Sequence, residues 1–104
     1  MKARRGEVWL VDFGMAAKVR PALVVSVPYL DHERALFAVV PRTTANRQTR
    51  FEVTIPIRGI EPGAFDAQGL RPVPPTVLIR RLADLTPEQL REVDDAVRRW
   101  LGQA

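Results

Sequence analysis

The segment ALVVSV, residues 22–27, is a mainly apolar run enclosed between Pro21 and Pro28. A short apolar run bounded by prolines predicts a strand that is buried on both faces. Similar segments predict further strands, with DHER (31–34) as a turn between two of them. These segments are EVWLVDF (7–13), ALFAVVP (35–41) and TVLIRRL (76–82).

The segment RFEVTIPI, residues 50–57, alternates between apolar and polar side chains. This alternation predicts a strand with one apolar face, and Pro56 places the end of that strand at a sheet edge. Residues 58–75 contain three glycines and four prolines. They therefore predict a long loop, with a short strand near Ala64–Leu70.

The last part of the chain predicts an amphipathic helix over about residues 87–101, because apolar side chains recur there at helical spacing. Thr86 is expected to be the N-cap, with Pro87 at the first helical position and Gln89 completing a capping box. Trp100 falls on the apolar stripe, so we expect it to anchor the helix in the core.

These elements predict one mainly β domain over residues 1–104, an α+β arrangement in which four to six short strands form a small barrel. The helix is expected to cover part of this barrel. Closing the sheet would remove most exposed strand edges.

The composition excludes several kinds of site. Without cysteine there are no disulfides and no thiolate ligands, and the single histidine, His32, falls in the predicted turn at 31–34. The chain has no glycine-rich phosphate loop and no zinc-ligand spacing. No cofactor or metal is expected. The sequence also lacks a signal-peptide pattern and an apolar run long enough to span a membrane, so we expect a cytoplasmic protein that does not bind membranes.

The positive charge lies in the body of the chain. Residues 1–83 hold 13 basic and seven acidic side chains, whereas residues 84–104 hold three basic and five acidic ones. Of the 16 basic residues, 14 are arginine, which matches phosphate with a planar fork. An arginine-rich composition throughout the genome would give the same bias, but the position of the charge favours a polyanionic partner.

Two features could bind phosphate. Arg20 directly precedes Pro21, and a residue before proline is held in extended geometry. The segment PRTTANRQTR (41–50) carries three arginines, three threonines, an asparagine and a glutamine, but no acidic residue. Such donors hold phosphate and sugar oxygens. Taken alone, a segment of this composition is more often a solvated hairpin.

The motifs RGEVWLVDF, RPALVVS and VVPRTT follow one another in the order strand, Arg-Pro strand, and strand ending in Pro-x-Thr. Over residues 5 to about 57 this order resembles the MazF/PemK family of toxin endoribonucleases from type II toxin–antitoxin pairs. The resemblance implies an SH3-like barrel of about five to seven strands that forms a homodimer. It also implies metal-independent cleavage of single-stranded RNA, in which a ribose 2′-hydroxyl attacks the adjacent phosphate and leaves 2′,3′-cyclic phosphate and 5′-hydroxyl ends.

The resemblance also implies the site residues. The family's catalytic arginine before proline falls on Arg20, and its threonine at the end of the third strand falls on Thr43. Both would stabilise negative charge on the phosphoryl oxygens. Because guanidinium groups stay protonated, Arg20 is not expected to accept the 2′-hydroxyl proton, and the sequence names no other group for this step. The expected RNA-binding residues are Lys18, Arg42, Thr44, Arg47 and Arg50.

The segment GMAAKV, residues 14–19, is shorter than the corresponding first loop of most family members. We expect it to supply fewer contacts to a substrate. The resemblance implies a cognate antitoxin that covers the groove with an acidic or apolar segment. The alternative is a non-catalytic barrel, either one that binds gyrase as CcdB-type toxins do or one that binds RNA or protein passively.

Overall fold

The computed structural model describes residues 2–16 and 18–103. These residues form seven strands, two short 3-10 turns and one helix. The strands are β1 (Glu7–Asp12), β2 (Val19–Val24), β3 (Phe37–Thr43), β4 (Glu52–Thr54), β5 (Ala64–Asp66), β6 (Arg71–Val73) and β7 (Leu78–Asp84), and the helix is α1 (Pro87–Trp100).

All strand pairings are antiparallel, in the order β4-β5-β3-β2-β1-β7, with β6 pairing the other part of β3. The mainly β fold with one C-terminal helix is confirmed. The expected closure of the barrel is wrong, since no pairing joins β4 to β7 in the part of the chain that is described. The β4 edge is only three residues long, and a short edge strand offers little template for unwanted pairing.

The sheet separates two apolar clusters, and β1 contributes to both because its side chains alternate. Trp9 and Val11 join the cluster on one side, together with Phe37. Val8 joins the other cluster, which packs against α1 through Val93.

The bounds of the second and third strands differ from the prediction, and the two strands include Arg20 and Thr43. Strand β2 begins at Val19, so it includes the Arg-Pro step that the sequence placed before the strand. It ends at Val24 rather than at residue 27, because beyond it the Ser26 hydroxyl, not a backbone carbonyl, accepts the hydrogen bond of the Ala38 N–H. Strand β3 likewise continues to Thr43, two residues beyond its expected end.

The chain after residue 50 also departs from expectation. The predicted strand 50–57 pairs only over Glu52–Thr54, since Pro56 cannot donate to a ladder. In the predicted loop, the short strand expected near Ala64–Leu70 forms over Ala64–Asp66. Strand β6 was not expected, because it contains Pro72. The last strand begins later than residue 76 because residues 75–77 form a 3-10 turn.

The helix matches its prediction closely. The Gln89 N–H donates to the Thr86 hydroxyl (3.2 Å) and the Thr86 N–H donates to the Gln89 side chain (2.9 Å), which completes the capping box. Trp100 differs, because 44% of its surface is exposed and its ring meets Phe51 edge to face at 5.3 Å. It is therefore not a core anchor. In the described residues, no helix is long and apolar enough to cross a membrane.

Candidate active site

A cavity of about 510 Å³ opens where β2 begins, where β3 ends and where the loop after β4 passes over the sheet. One wall comes from apolar side chains of β1 and β7, including Leu10 and Leu82. The polar residues that line it are Arg20, Arg42, Thr43, Thr44, Glu61 and Arg80. Three arginines and one carboxylate surround this space, so its electrostatic character is cationic.

The register of two strands brings Arg20 and Thr43 to this cavity. Ala22 lies opposite Pro41 in the antiparallel pair of β2 and β3. Arg20 and Thr43 each lie two residues beyond this pair, Arg20 near the start of β2 and Thr43 at the end of β3. The two residues that the resemblance singled out, 23 positions apart in the chain, thus line one cavity.

The Thr43 hydroxyl is oriented by the turn that follows β3. Its Oγ1 accepts a hydrogen bond from the Ala45 N–H at 3.1 Å. This contact uses only an acceptor position of the hydroxyl, so the Thr43 O–H can still donate a hydrogen bond. Because β3 ends at Thr43, strand alternation does not separate the two threonines, and Thr44 lines the cavity as well.

Arg42 is the buried charged side chain of this region, with 4% of its surface exposed. Its Nη1 donates to the Ile55 carbonyl (2.8 Å) and its Nη2 to the Glu61 carbonyl (3.3 Å). The guanidinium also lies over the Phe65 ring at 5.2 Å. Burial lowers the pKa of Arg42, since it disfavours the charged form. These contacts fasten the loop to β3, while Arg42 also lines the cavity.

A close backbone approach supports this arrangement. A Cβ on Gly63 would lie 2.5 Å from the Thr43 carbonyl oxygen and 3.4 Å from Arg42 Nε. Only glycine allows the loop to pass so close to β3 without displacing its backbone.

The other expected RNA-binding residues lie in different places. Lys18 is exposed, and its backbone closes the short loop between β1 and β2 through hydrogen bonds with Gly14 (2.7 Å) and Phe13 (3.0 Å). Arg47 lines an adjacent cavity of about 350 Å³ that shares Thr43 with the first one. Arg50 stacks on Phe51 at 4.6 Å and is not among the described residues that line either cavity.

Sequence reasoning missed Arg80 and Glu61. Arg80 lies opposite Leu10 in the pair of β7 and β1. Its neighbour Arg81 forms ion pairs with Glu7 and Asp84. Two adjacent arginines in a predicted strand face opposite sides, and that pattern was the available signal for Arg80. Glu61 had no such signal, because it lies in the loop that no periodicity describes.

Glu52 holds the loop after β3 in shape. Its carboxylate accepts hydrogen bonds from the backbone N–H of Arg47 (3.1 Å) and Thr49 (3.0 Å), and from the Thr49 hydroxyl (2.8 Å). These donors, Arg47 first, lower the pKa of Glu52 in the folded protein. A carboxyl with a lowered pKa stabilises the fold above its unfolded pKa of about 4.3, and this contribution is lost as the pH falls through the folded value.

We therefore expect Glu52→Gln to lower the free energy of unfolding at pH 7 by less than about 1 kcal/mol, since solvent screens this site. The variant should also lose less stability than the original protein between pH 7 and pH values of about 3. Urea unfolding across this range checks both results, with Glu92→Gln on the exposed face of α1 as the matched control. An identical pH dependence in Glu52→Gln and the original protein would contradict the assignment.

No group of three or more histidine, cysteine, aspartate or glutamate residues in the ranges 2–16 and 18–103 is placed to hold a metal ion. The chemistry that this site can perform with its own residues is charge stabilisation by guanidinium and hydroxyl donors, with one carboxylate nearby.

Several solved structures of known proteins have the same fold as this chain. A mycobacterial endoribonuclease solved with its cognate antitoxin superposes with a TM-score of 0.83 at 24% identity, over 98% of this chain and 97% of that one. MazF from Deinococcus radiodurans superposes with a TM-score of 0.79 at 27% identity, over 97% of both chains. The MazE-MazF complex of that organism gives 0.80 at 25% identity, over 98% and 97%.

The match to a protein family extends over residues 4–101, which includes every element from β1 to α1 and all the residues that line the cavity. It thus reaches well beyond the segment 5–57 in which the sequence motifs lie. The chain belongs to the family of PemK-like, MazF-like toxins of type II toxin–antitoxin systems.

Proposed function

We propose that this protein is an endoribonuclease toxin that cleaves single-stranded RNA without a metal ion. The observation that carries the proposal is the cavity at which Arg20 and Thr43 meet from the adjacent ends of β2 and β3. The similar mycobacterial and Deinococcus proteins, an endoribonuclease and MazF, support the same activity.

The cleavage step needs charge stabilisation more than a strong nucleophile. The 2′-hydroxyl oxygen attacks the adjacent phosphorus, and negative charge spreads over the phosphoryl oxygens in the transition state. The Arg20 guanidinium and the Thr43 hydroxyl would donate to those oxygens, and one such preorganised donor is typically worth about 100- to 1,000-fold in rate. The products are a 2′,3′-cyclic phosphate and a 5′-hydroxyl.

The surroundings of the cavity suit an RNA strand. Arg80 adds positive charge to the wall, and Thr44 adds a hydroxyl. Lys18 at the rim and Arg47 in the adjacent cavity would hold neighbouring phosphates. Arg42 is better assigned to the support of the loop than to RNA, because two of its donors are committed to carbonyl oxygens.

The non-catalytic alternatives receive no support from these comparisons. The family match and the similar structures point to MazF-like toxins over nearly the whole chain.

We also propose a cognate antitoxin and a homodimer. The mycobacterial endoribonuclease was solved with its cognate antitoxin and the Deinococcus MazF with MazE, which supports a cognate antitoxin for this protein. An acidic segment of that partner would suit the cationic cavity. Several large apolar side chains outside α1 are exposed, among them Val19 (47%) and Ile79 (50%), and such exposure is typical of contact surfaces.

The direct test is incubation of the purified protein with single-stranded RNA in excess EDTA, followed by analysis of the new ends. We expect cleavage with 5′-hydroxyl and 2′,3′-cyclic phosphate ends, because the proposed donors are protein side chains. A fully 2′-O-methylated RNA of the same sequence is the control and should remain intact. RNA that stays intact at high protein concentration would contradict the proposed function.

A further inference from the structure

The proposed reaction requires a group that accepts the proton of the 2′-hydroxyl, and the arginines of the cavity cannot do this because a guanidinium has no acceptor. Thr43 and Thr44 are no better suited, since a hydroxyl is a weak base. Glu61 is the one carboxylate among the described residues that line this cavity. A carboxylate is one of the side chains that enzymes use for this transfer.

The loop that carries Glu61 is held in place. The Glu61 carbonyl accepts a hydrogen bond from Nη2 of the buried Arg42 at 3.3 Å. Two residues further on, Gly63 passes directly against the Thr43 backbone. Both contacts involve the main chain of the loop, and they hold the Glu61 Cα beside the strand that ends at Thr43.

Two carboxylates of the adjacent cavity are already engaged. Glu52 and Asp66 line the adjacent cavity rather than the one that Arg20 shares. Glu52 accepts three hydrogen bonds from the loop after β3. Asp66 accepts one from the Gln68 N–H at 3.0 Å and caps the following 3-10 turn. Neither lines the cavity that holds Arg20.

We propose that Glu61 is a catalytic residue that acts as the general base, an inference that rests on the proposed function. Its carboxylate takes the proton of the 2′-hydroxyl while the O2′–P bond forms. The P–O5′ bond breaks, and the leaving 5′-oxygen keeps the bonding electron pair and takes a proton from solvent water. The protonated Glu61 then returns its proton to the resulting hydroxide, so the net reaction consumes no water.

The test compares the original protein with Glu61→Gln and Glu61→Asp in single-stranded RNA cleavage with EDTA, across a pH series. Glutamine keeps the size of the side chain and the main-chain carbonyl that Arg42 binds, but it cannot take a proton. We expect kcat to fall by about 100-fold or more with KM changed by less than about threefold. The decline of kcat/KM at acid pH should disappear in Glu61→Gln and persist in Glu61→Asp.

Glu92→Gln, an exposed carboxylate on α1, is the matched control and should cleave like the original protein. Urea unfolding should give the same midpoint for all variants, which separates catalysis from folding. Glu61→Gln with activity within threefold of the original, or with an unchanged acid limb, would overturn the inference and leave the proposed function standing. If the original protein itself leaves RNA intact, the proposed function fails, and this inference fails with it.

Discussion

Replacing Arg20 with alanine is expected to slow RNA cleavage at saturating RNA by about 100- to 1,000-fold. The loss should appear mainly in kcat, because the guanidinium interacts most strongly with the charge that develops on the phosphate in the transition state. The side chain is exposed at the start of β2, so the free energy of unfolding should change by less than about 1 kcal/mol. Single-turnover cleavage and urea unfolding measure the two effects separately.

Arg20→Lys should restore only part of the rate. Lysine keeps the positive charge but not the planar fork that contacts two phosphoryl oxygens at once. Arg91→Ala on the exposed face of α1 is the matched control, since it removes the same charge far from β2 and β3. If Arg20→Ala and Arg91→Ala lower the rate equally, the effect is one of net charge, and the assigned role of Arg20 is wrong.

The second large effect is on stability. Arg42→Ala is expected to lower the free energy of unfolding by about 2–4 kcal/mol, because it empties a buried space and leaves the Ile55 and Glu61 carbonyls without their donor. The loop over the cavity should loosen at the same time. Urea unfolding gives the stability, and hydrogen exchange of the amides in residues 57–63 reports the loop.

Arg58→Ala in the same loop is the control, since Arg58 is exposed and should contribute less than about 0.5 kcal/mol. Arg42→Lys should recover little, because an ammonium group cannot match the fork that joins two carbonyls on different parts of the chain. Arg42→Ala as stable as Arg58→Ala would show that the buried guanidinium does not hold the loop.

The sequence predicted the positions of β1, β3, β7 and α1 well because their apolar side chains repeat at the period of each element. The capping box at Thr86 was predictable because it depends on three neighbouring residues. That Arg20 and Thr43 belong to one site was predictable only through the resemblance to a family. No local rule states that the start of β2 and the end of β3 share a cavity.

Other features depend on long-range contacts that a sequence does not display. Pro72 argued against a strand at residues 71–73. Strand β6 forms there nevertheless, because it pairs with β3. Arg42 stands in a cationic segment that predicts exposure, yet the Phe65 ring and two carbonyls from distant residues bury it. Glu61 joins the cavity only because Arg42 draws the loop onto β3.

The most direct test is a structure of the protein bound to a 2′-deoxy version of an RNA that it cleaves. It would show whether side chains from β2 and β3 bind the same phosphate. We predict one phosphate within hydrogen-bonding distance of both the Arg20 guanidinium and the Thr43 hydroxyl, inside the cavity that Glu61 also lines. An oligonucleotide bound elsewhere, with no phosphate near either side chain, would contradict this account.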